Sequence, residues 1–489
     1  MTMTDDATAT LAAATTGLLL GGRWVPVDER NALIVDDPAT GRPIASVADA
    51  TLDDAREAIA IADATQASWA ATAPRERGEI LRRAYESMMD NLDELALLMT
   101  LEMGKPLAES RAEVAYAADY LRWFSEEAVR ITGSWRTSPD GASRLLVLKS
   151  PVGPCLFVTP WNFPLAMGTR KIGPALAAGC TVIVKPAKQT PLSMLALARI
   201  LQESGLPDGV LSILPTSDSA GVVSTILADK RLRKLSFTGS TGVGEQLAAQ
   251  AVAGSIRVSL ELGGNAPFIV FGDADIEKAV DGAMLAKLRN NGEACTAANR
   301  FYVHRSIADE FTAALSSRFD ALRIGAGYDS ATTLGPLIDR GAVAKVDELV
   351  DDAIARGASI VGELQSVPDE GAYRAPAVLA NVPFDARIVS EEIFGPIAPV
   401  VVFDDEDQVV EWANSSEYGL ASYIFTQDLT RAIRVIEALD TGMVGVNRGV
   451  LSNVAAPFGG VKSSGYGREG GDDGIEEYLE TKYAAVDMS

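Results

Sequence analysis

From Thr181 onward, short β-branched runs alternate with amphipathic segments whose apolar residues recur at helical spacing, the pattern of parallel strands joined by crossover helices. TVIVKPA (181–187) reads as a strand. PLSMLALARILQESG (191–205) reads as a helix that starts at Pro191, where a missing N–H is no loss, and stops at Gly205, which can adopt the left-handed closing conformation. GVLSILP, SAGVVSTILAD, KLSFTGS, TGVGEQLAAQAVAGS and IRVSLEL then continue as strand, helix, strand, helix, strand. The expected product is an open, doubly wound sheet with its ligand crevice beyond the carboxyl ends of the strands.

After Glu261 a second alternation begins with NAPFIVF and a helix from about Asp275, in which Ile276, Val280, Met284 and Leu288 share one face. APVVVF, EWANS, ASYIFT and TGMVGVN carry it on into a second domain of comparable size. Residues 131–151 read differently, as two strands joined by a Pro-Asp-Gly turn with no helix to cover them, and YLETKYAAV near the C-terminus is another candidate edge strand. Such edges need partners, so both are expected at subunit contacts of a homodimer or homotetramer. The predicted fold class is α/β, with two doubly wound domains and a small β element. One domain takes residues 1–130 and 152–260, the other 261–462, and the β element 131–151 and 463–489.

Composition narrows the partners. A chain of 489 residues exceeds what one hydrophobic core supports, in keeping with two domains. Its 43 basic against 66 acidic residues leave a net charge of −23, which argues against nucleic acid or an anionic membrane as a partner. The N-terminus carries Asp5 and Asp6 where a signal peptide would carry basic residues, and is expected to be a disordered tail of about a dozen residues. No run approaches the roughly 18 apolar residues of a membrane span. Three scattered cysteines fit a reducing cytoplasm better than a disulfide framework. The single histidine, His304, excludes zinc sites built on several histidines and leaves no Ser-His-Asp triad to build; it is expected at a strand end, and no metal is expected.

Four segments carry candidate chemistry. FTGSTGVG follows a strand and opens a helix, so its backbone N–H groups either approach a phosphate or only make a turn. Glu261 ends an apolar strand before two glycines, either salt-bridged or held as a general base with a raised pKa. Asn162, between Trp161 and Phe163 on a loop stiffened by Pro160 and Pro164, either donates to a developing oxyanion or ties the loop down. Cys155 and Cys180 sit in apolar, strand-like surroundings as fillers, whereas Cys295 keeps the company of Asn, Gly and Glu.

Taken together with GGRW, PWNFP, KPA, EEIFGP and PFGGVKSSGYGREG, these segments resemble the aldehyde dehydrogenase superfamily across nearly the whole chain. The resemblance implies Cys295 as nucleophile, Glu261 as general base, and Asn162 with the Cys295 backbone N–H as oxyanion hole. It also implies a cysteine thiohemiacetal, loss of hydride to a nicotinamide cofactor, and hydrolysis of the resulting thioester. On the same ground Lys185 contacts the adenosine ribose, Glu392 the nicotinamide ribose, and Phe394 packs near the ring; Thr159, Pro160, Trp161, Gly239, Ser240, Gly244 and Leu262 complete the cofactor set. Lys188 stands where NAD-preferring relatives often carry a glutamate, so NADP is the expected preference, with NAD possible.

Arg170, Arg289 and Ser452 match the residues that hold the distal carboxylate in succinate semialdehyde dehydrogenases, although structural salt bridges are the plainer reading of the two arginines; Phe163 and Phe458 complete the substrate set. The expected partner is therefore a small aldehyde with a distal carboxylate, glutarate semialdehyde being the near rival of succinate semialdehyde. A non-catalytic binding or structural member of the family is the alternative from another class. An acylating enzyme that passes its thioester to coenzyme A would be expected to lack Glu261. Ala297 replaces the second cysteine that some members place two residues beyond the nucleophile, so no redox-switch disulfide is expected there.

Overall fold

The Val- and Leu-rich runs Cys155–Val158, Val182–Lys185, Leu211–Ile213, Lys234–Thr238 and Arg257–Glu261 form the parallel heart of an eight-stranded sheet, in a computed structural model that describes residues 5–488. Most of these residues are buried, which is why the strands read as continuous apolar runs rather than alternating ones. Cys155–Val158 lies in the middle, with Val182–Lys185 on one side and Lys234–Thr238 on the other. The strand order reverses there, so the loops leaving Val158 and Thr238 diverge and open a crevice at their carboxyl ends. The antiparallel strands Leu18–Leu20 and Arg23–Val25 close one edge and Gly465–Tyr466 closes the other.

The second sheet has seven strands in the order Ser359–Val361, Ala377–Ala380, Ile397–Phe403, Ala298–His304, Ala266–Val270, Ala421–Phe425 and Met443–Val446. All pairs are parallel except the first. Phe268 anchors it, with ring centroids 5.1 Å from Phe301, 5.8 Å from Tyr423 and 4.8 Å from Phe425. Burying each such ring contributes about 1.5–3 kcal/mol. His304 ends its strand, as expected, and pairs with Ser306 at 2.8 Å.

The hairpin and the C-terminal strand predicted as separate edges are one sheet. Leu479–Asp487 runs antiparallel to Ser143–Pro151, in register from Leu479 opposite Pro151 to Asp487 opposite Ser143, and Ser134–Thr137 flanks the other side. Trp135, Leu148 and Tyr483 of this sheet are exposed. Residues 463–478 do not belong to it: Gly465–Tyr466 extends the first sheet beyond Glu261, and Glu469 enters the protein interior. Within residues 1–130, the hairpin Ala32–Asp37 and Arg42–Ala48 leans on the second domain, through Arg42 and Glu370 at 3.0 Å and the Ala372 N–H on the Pro38 carbonyl at 3.0 Å.

One expectation is corrected at the N-terminus. Residues 1–4 lie outside the described residues, but Asp5–Ala13 is a helix rather than a disordered tail. Ala7 and Leu11, four residues apart and so on one face, respectively lie buried and pack against the first domain's core. No helix among the described residues is long and apolar enough to cross a membrane, and none of their His, Cys, Asp and Glu side chains form a group able to hold a metal ion.

Candidate active site

The chain crosses from the first sheet to the second at residues 262–265, directly after Glu261. Gly264 makes that crossing possible: a Cβ there would lie 2.3 Å from the carbonyl oxygen of Cys295, so only a bare backbone can pass this close to the cysteine loop. The cysteine loop arises where the helix Ile276–Leu288, capped by Asp275, gives out. Asn290, Asn291 and Gly292 then take three successive left-handed conformations, with φ of 59°, 57° and 83°. At Gly292 a Cβ would also strike the Gly395 carbonyl oxygen at 2.5 Å.

This turn delivers Cys295, half-buried, to a cavity of about 280 Å³ shared with Asn162, Trp161, Gly239, Ser240, Leu262, Glu392 and Phe394. Cys155 and Cys180 are fully buried, in keeping with the filler role. Burial pushes the Cys295 thiol up to about 11; Arg170 and Arg289 draw it down, while Glu261 and Glu392 push it further up. At neutral pH the sulfur of the cofactor-free protein therefore holds its proton.

Both ends of the Asn162 side chain are fixed. Its Oδ1 accepts the Phe163 N–H at 3.1 Å and its Nδ2 donates to the Glu293 carbonyl at 2.9 Å, leaving one amide N–H unspent beside Cys295. Glu261 is buried, and its Oε2 has no hydrogen-bond partner. Burial raises its pKa well above the usual carboxylate value, and nearby Glu469 reinforces the shift against Arg170 and Lys171. Glu469 itself is held below the usual value, because Lys171 and Arg170 both pair with it. Two carboxyl groups in one apolar enclosure are thus driven apart, one ready to hold a proton and one charged.

The cavity continues toward the first turn of the helix Thr241–Ala253, where Ser240 stands at the N-cap with no side-chain hydrogen bond. The Thr238 hydroxyl, also on this wall, is buried without a partner. Unspent backbone donors at a helix start and an orphaned hydroxyl fit the phosphate and ribose oxygens of a dinucleotide. Gly239 lines the cavity. Gly244 does not: a Cβ there would meet Leu262 at 2.4 Å, so its part is to let the helix lie close on the sheet crossing. Thr159 is buried and joins the neighbouring strand through its N–H on the Lys185 carbonyl at 3.2 Å. Pro160 lines the cavity.

Lys185 is buried and donates to Ser219 Oγ at 3.2 Å; burial and the like charge of Lys188 bring its ammonium down to about 8. Lys188 is exposed on the wall of a different cavity, of about 850 Å³, that shares no lining residue with the one at Cys295. Glu392 accepts the Gly264 N–H at 3.2 Å, and burial pushes its carboxyl up to about 7. Phe394 has φ of 53°, unusual for a bulky residue, and its ring meets Trp161 edge-on at 5.5 Å. Lys345 and Ala342 also line the cavity; no motif flagged them, because they come from a helix whose sequence pattern is that of an ordinary surface helix.

The substrate candidates fall into two groups. Arg289 Nη2 reaches Ser452 Oγ at 3.4 Å, and its guanidinium lies 5.1 Å from the centre of the Phe163 ring. Arg170 is fully buried, lies 4.1 Å from the Phe458 ring centre, and its Nε is 2.5 Å from Glu469 Oε2. The plainer reading, a structural salt bridge, thus describes Arg170 as it stands here, and Glu469 is a site residue the motif analysis did not single out.

The aldehyde dehydrogenase family model matches residues 24–484. A succinate-semialdehyde dehydrogenase of Paenarthrobacter nicotinovorans is 54% identical over 443 residues, covering 91% of this chain and 98% of the relative. A glutarate-semialdehyde dehydrogenase of Pseudomonas putida is 48% identical over 469 residues, covering 96% and 97%. Among solved structures, an NADP-dependent enzyme of Escherichia coli superposes with a TM-score of 0.96 at 46% identity, over 98% of this chain and 99% of that one. In sequence and in fold, over nearly its whole length, the chain belongs to the aldehyde dehydrogenase family.

Proposed function

We propose that this protein oxidises succinate semialdehyde to succinate with a nicotinamide dinucleotide, NADP in preference to NAD. The observation that carries the substrate reading is the Arg289–Ser452 pair, a cation from the segment that leads to Cys295, packed on Phe163, and a hydroxyl brought to it from a distant loop. A carboxylate binds such a pair through charge-assisted hydrogen bonds. The second semialdehyde, glutarate, is favoured by one specific finding, the similarity to an enzyme named for it.

Cys295 gives up its thiol proton to solvent as Sγ adds to the aldehyde carbon, and the carbonyl oxygen becomes an oxyanion held by the free Asn162 N–H and the Cys295 backbone N–H. Each such donor is worth roughly 3 kcal/mol to the transition state. A bound nicotinamide dinucleotide supplies the acceptor for the hydride that leaves this carbon. Pro160, Trp161, Ser240, Glu392 and Phe394, which line the cavity together with Cys295, would hold it there. What remains on Cys295 is a thioester, and Glu261 takes a proton from the water that hydrolyses it. Burial suits Glu261 to this task, since a raised pKa makes it the stronger base once it is ionised. The widely spaced cysteines support a cytoplasmic setting, and the exposed Trp135, Leu148 and Tyr483 of the third sheet support a homodimer or homotetramer.

Arg289→Ala is expected to raise KM for succinate semialdehyde roughly 10- to 100-fold, the worth of one hydrogen bond to a charged group, while KM for a neutral aldehyde of equal length stays put. An unchanged KM for the semialdehyde would refute the anchor, and glutarate semialdehyde in the same assay ranks the two substrates. Lys188→Glu should shift the kcat/KM ratio from NADP toward NAD by roughly tenfold or more, because a cation that pairs with a 2′-phosphate becomes an anion that repels it; a ratio equal to wild type would discard the assignment. Glu261 is protonated below its raised pKa, so thioester hydrolysis should speed up as pH rises through that pKa, above the usual carboxylate range, and level off beyond it. Glu261→Gln should lose that dependence and stop after about one equivalent of reduced cofactor per site; full turnover by this variant would remove Glu261 from the role. In sedimentation, the mass of a single 51.5-kDa chain at micromolar concentration would exclude the proposed assembly.

A further inference from the structure

The carbonyl oxygen of Asn162 receives two donors from different parts of the chain. Lys105 Nζ reaches it at 2.8 Å and Asn290 Nδ2 at 2.9 Å. Neither side chain touches the cavity that holds Cys295. Both are buried, Lys105 and Asn290 alike at zero exposure. Asn290 Nδ2 donates a second time, to the Glu293 carbonyl at 2.9 Å, and that same carbonyl receives Nδ2 of Asn162. Glu293 is two residues before Cys295. The backbone of the Asn162 loop and the backbone of the cysteine loop are therefore stitched together through one amide group.

Asn290 occupies this place at a cost. Its backbone is left-handed, with φ of 59°, a conformation that asparagine tolerates better than other side-chain-bearing residues. Its own Oδ1 is buried with no partner. Its N–H is fixed by Glu109 Oε2, which leaves the residue little freedom to relax. The orphaned acceptor is the cost of this placement, and what the other end of the amide does in return is clip two carbonyls. Lys105 works from the opposite side: its ammonium also pairs with Glu113 at 2.5 Å, and Glu113 Oε1 accepts the N–H groups of Leu165 and Ala166 at 3.0 and 3.1 Å. The loop from Asn162 to Ala166 is thus gripped at both ends by one buried ion pair.

We propose that Asn290 and Lys105 are positioning residues of the oxyanion site, setting the distance between the Asn162 amide and the Cys295 N–H by binding the Asn162 carbonyl. This rests on the reading of Asn162 as an oxyanion donor. Such a site acts through geometry alone, since donors must already stand where the negative oxygen will form. Loosening the clip spoils the stabilisation of the oxyanion while leaving the sulfur as accessible as before.

The test separates two reactions of the same sulfur. With 4-nitrophenyl acetate, Cys295 Sγ forms a bond to the acyl carbon, the ester carbon–oxygen bond breaks and 4-nitrophenolate leaves, by way of an oxyanion. With iodoacetamide, sulfur displaces iodide from a saturated carbon and no oxyanion forms. Asn290→Gly keeps the left-handed backbone without strain and removes only the side-chain amide. It is expected to slow acylation, and kcat for the aldehyde, roughly 10- to 100-fold, leaving cofactor KM and the alkylation rate at wild-type values. Lys105→Met should give the same split, and Lys105→Arg should restore part of the acylation rate; this pair decides the matter if Asn290→Gly does not fold. Alkylation falling in step with acylation, or acylation unaffected in the variants that fold, would overturn the proposal. Asn162→Ala serves as the benchmark: if it leaves acylation unchanged, the oxyanion reading fails and takes this inference with it, whereas a slow Asn162→Ala beside a wild-type-like Asn290→Gly brings down the inference alone.

Discussion

The whole site hangs on a contact between two backbones. Gly264 passes so near the carbonyl of Cys295 that no side chain fits between them, and this contact holds the seam of the two sheets against the cysteine loop. Glu261 stands three residues before that contact, at the end of its strand, and the Glu392 carboxylate takes the Gly264 N–H. Base, nucleophile and cofactor wall thus share a reference point made of main chain, which moves less than any side chain would. Gly292 does the same on the far side of the loop, against Gly395. The glycines here are spatial requirements rather than sources of looseness.

Around that frame the protein buries an unusual number of ionisable groups. Lys105 with Glu113, and Lys171 and Arg170 with Glu469, are ion pairs almost without solvent contact. Taking such charges out of water is costly, and well-packed apolar residues often serve stability as well or better. Their value here is geometric and electrostatic. Lys105 and Glu113 grip the Asn162 loop, and Glu469 tunes the field at Glu261 while occupying Arg170. Arg170 and Lys171 act on both acids, but only Glu469 pairs with them directly, and that sets the two carboxyl groups apart.

The alternating sheets were legible because buried parallel strands are written as unbroken apolar runs and their helices as periodic ones; Val182–Lys185, Pro191–Glu203 and Ile276–Leu288 fall where the pattern put them. Cys295 stood out through its polar neighbours. What the sequence hides is pairing over distance. Lys171 and Glu469 are 298 positions apart, and nothing local marks either as the other's partner. Arg170 looks like a free cation for the same reason. The N-terminal helix escaped because Ala7 and Leu11 bury too little surface to stand out from a polar tail, and become a helical face only once the domain is there to receive them. Residues 463–478 were assigned by proximity to the last strand, whereas they thread back through the first sheet.

That late thread has a consequence for biosynthesis. Phe458, Glu469 and the edge strand Gly465–Tyr466 lie about two hundred positions or more beyond Arg170, Lys171 and Glu261, which emerge from the ribosome much earlier, yet they complete the same region. Until those residues emerge, two cations of the nascent first domain lack their counter-ion and the sheet has a bare edge beside Glu261. The first domain can gather its core as it appears, but its centre stays electrically unfinished until Glu469 joins it, so a chain cut before residue 465 loses part of the catalytic environment.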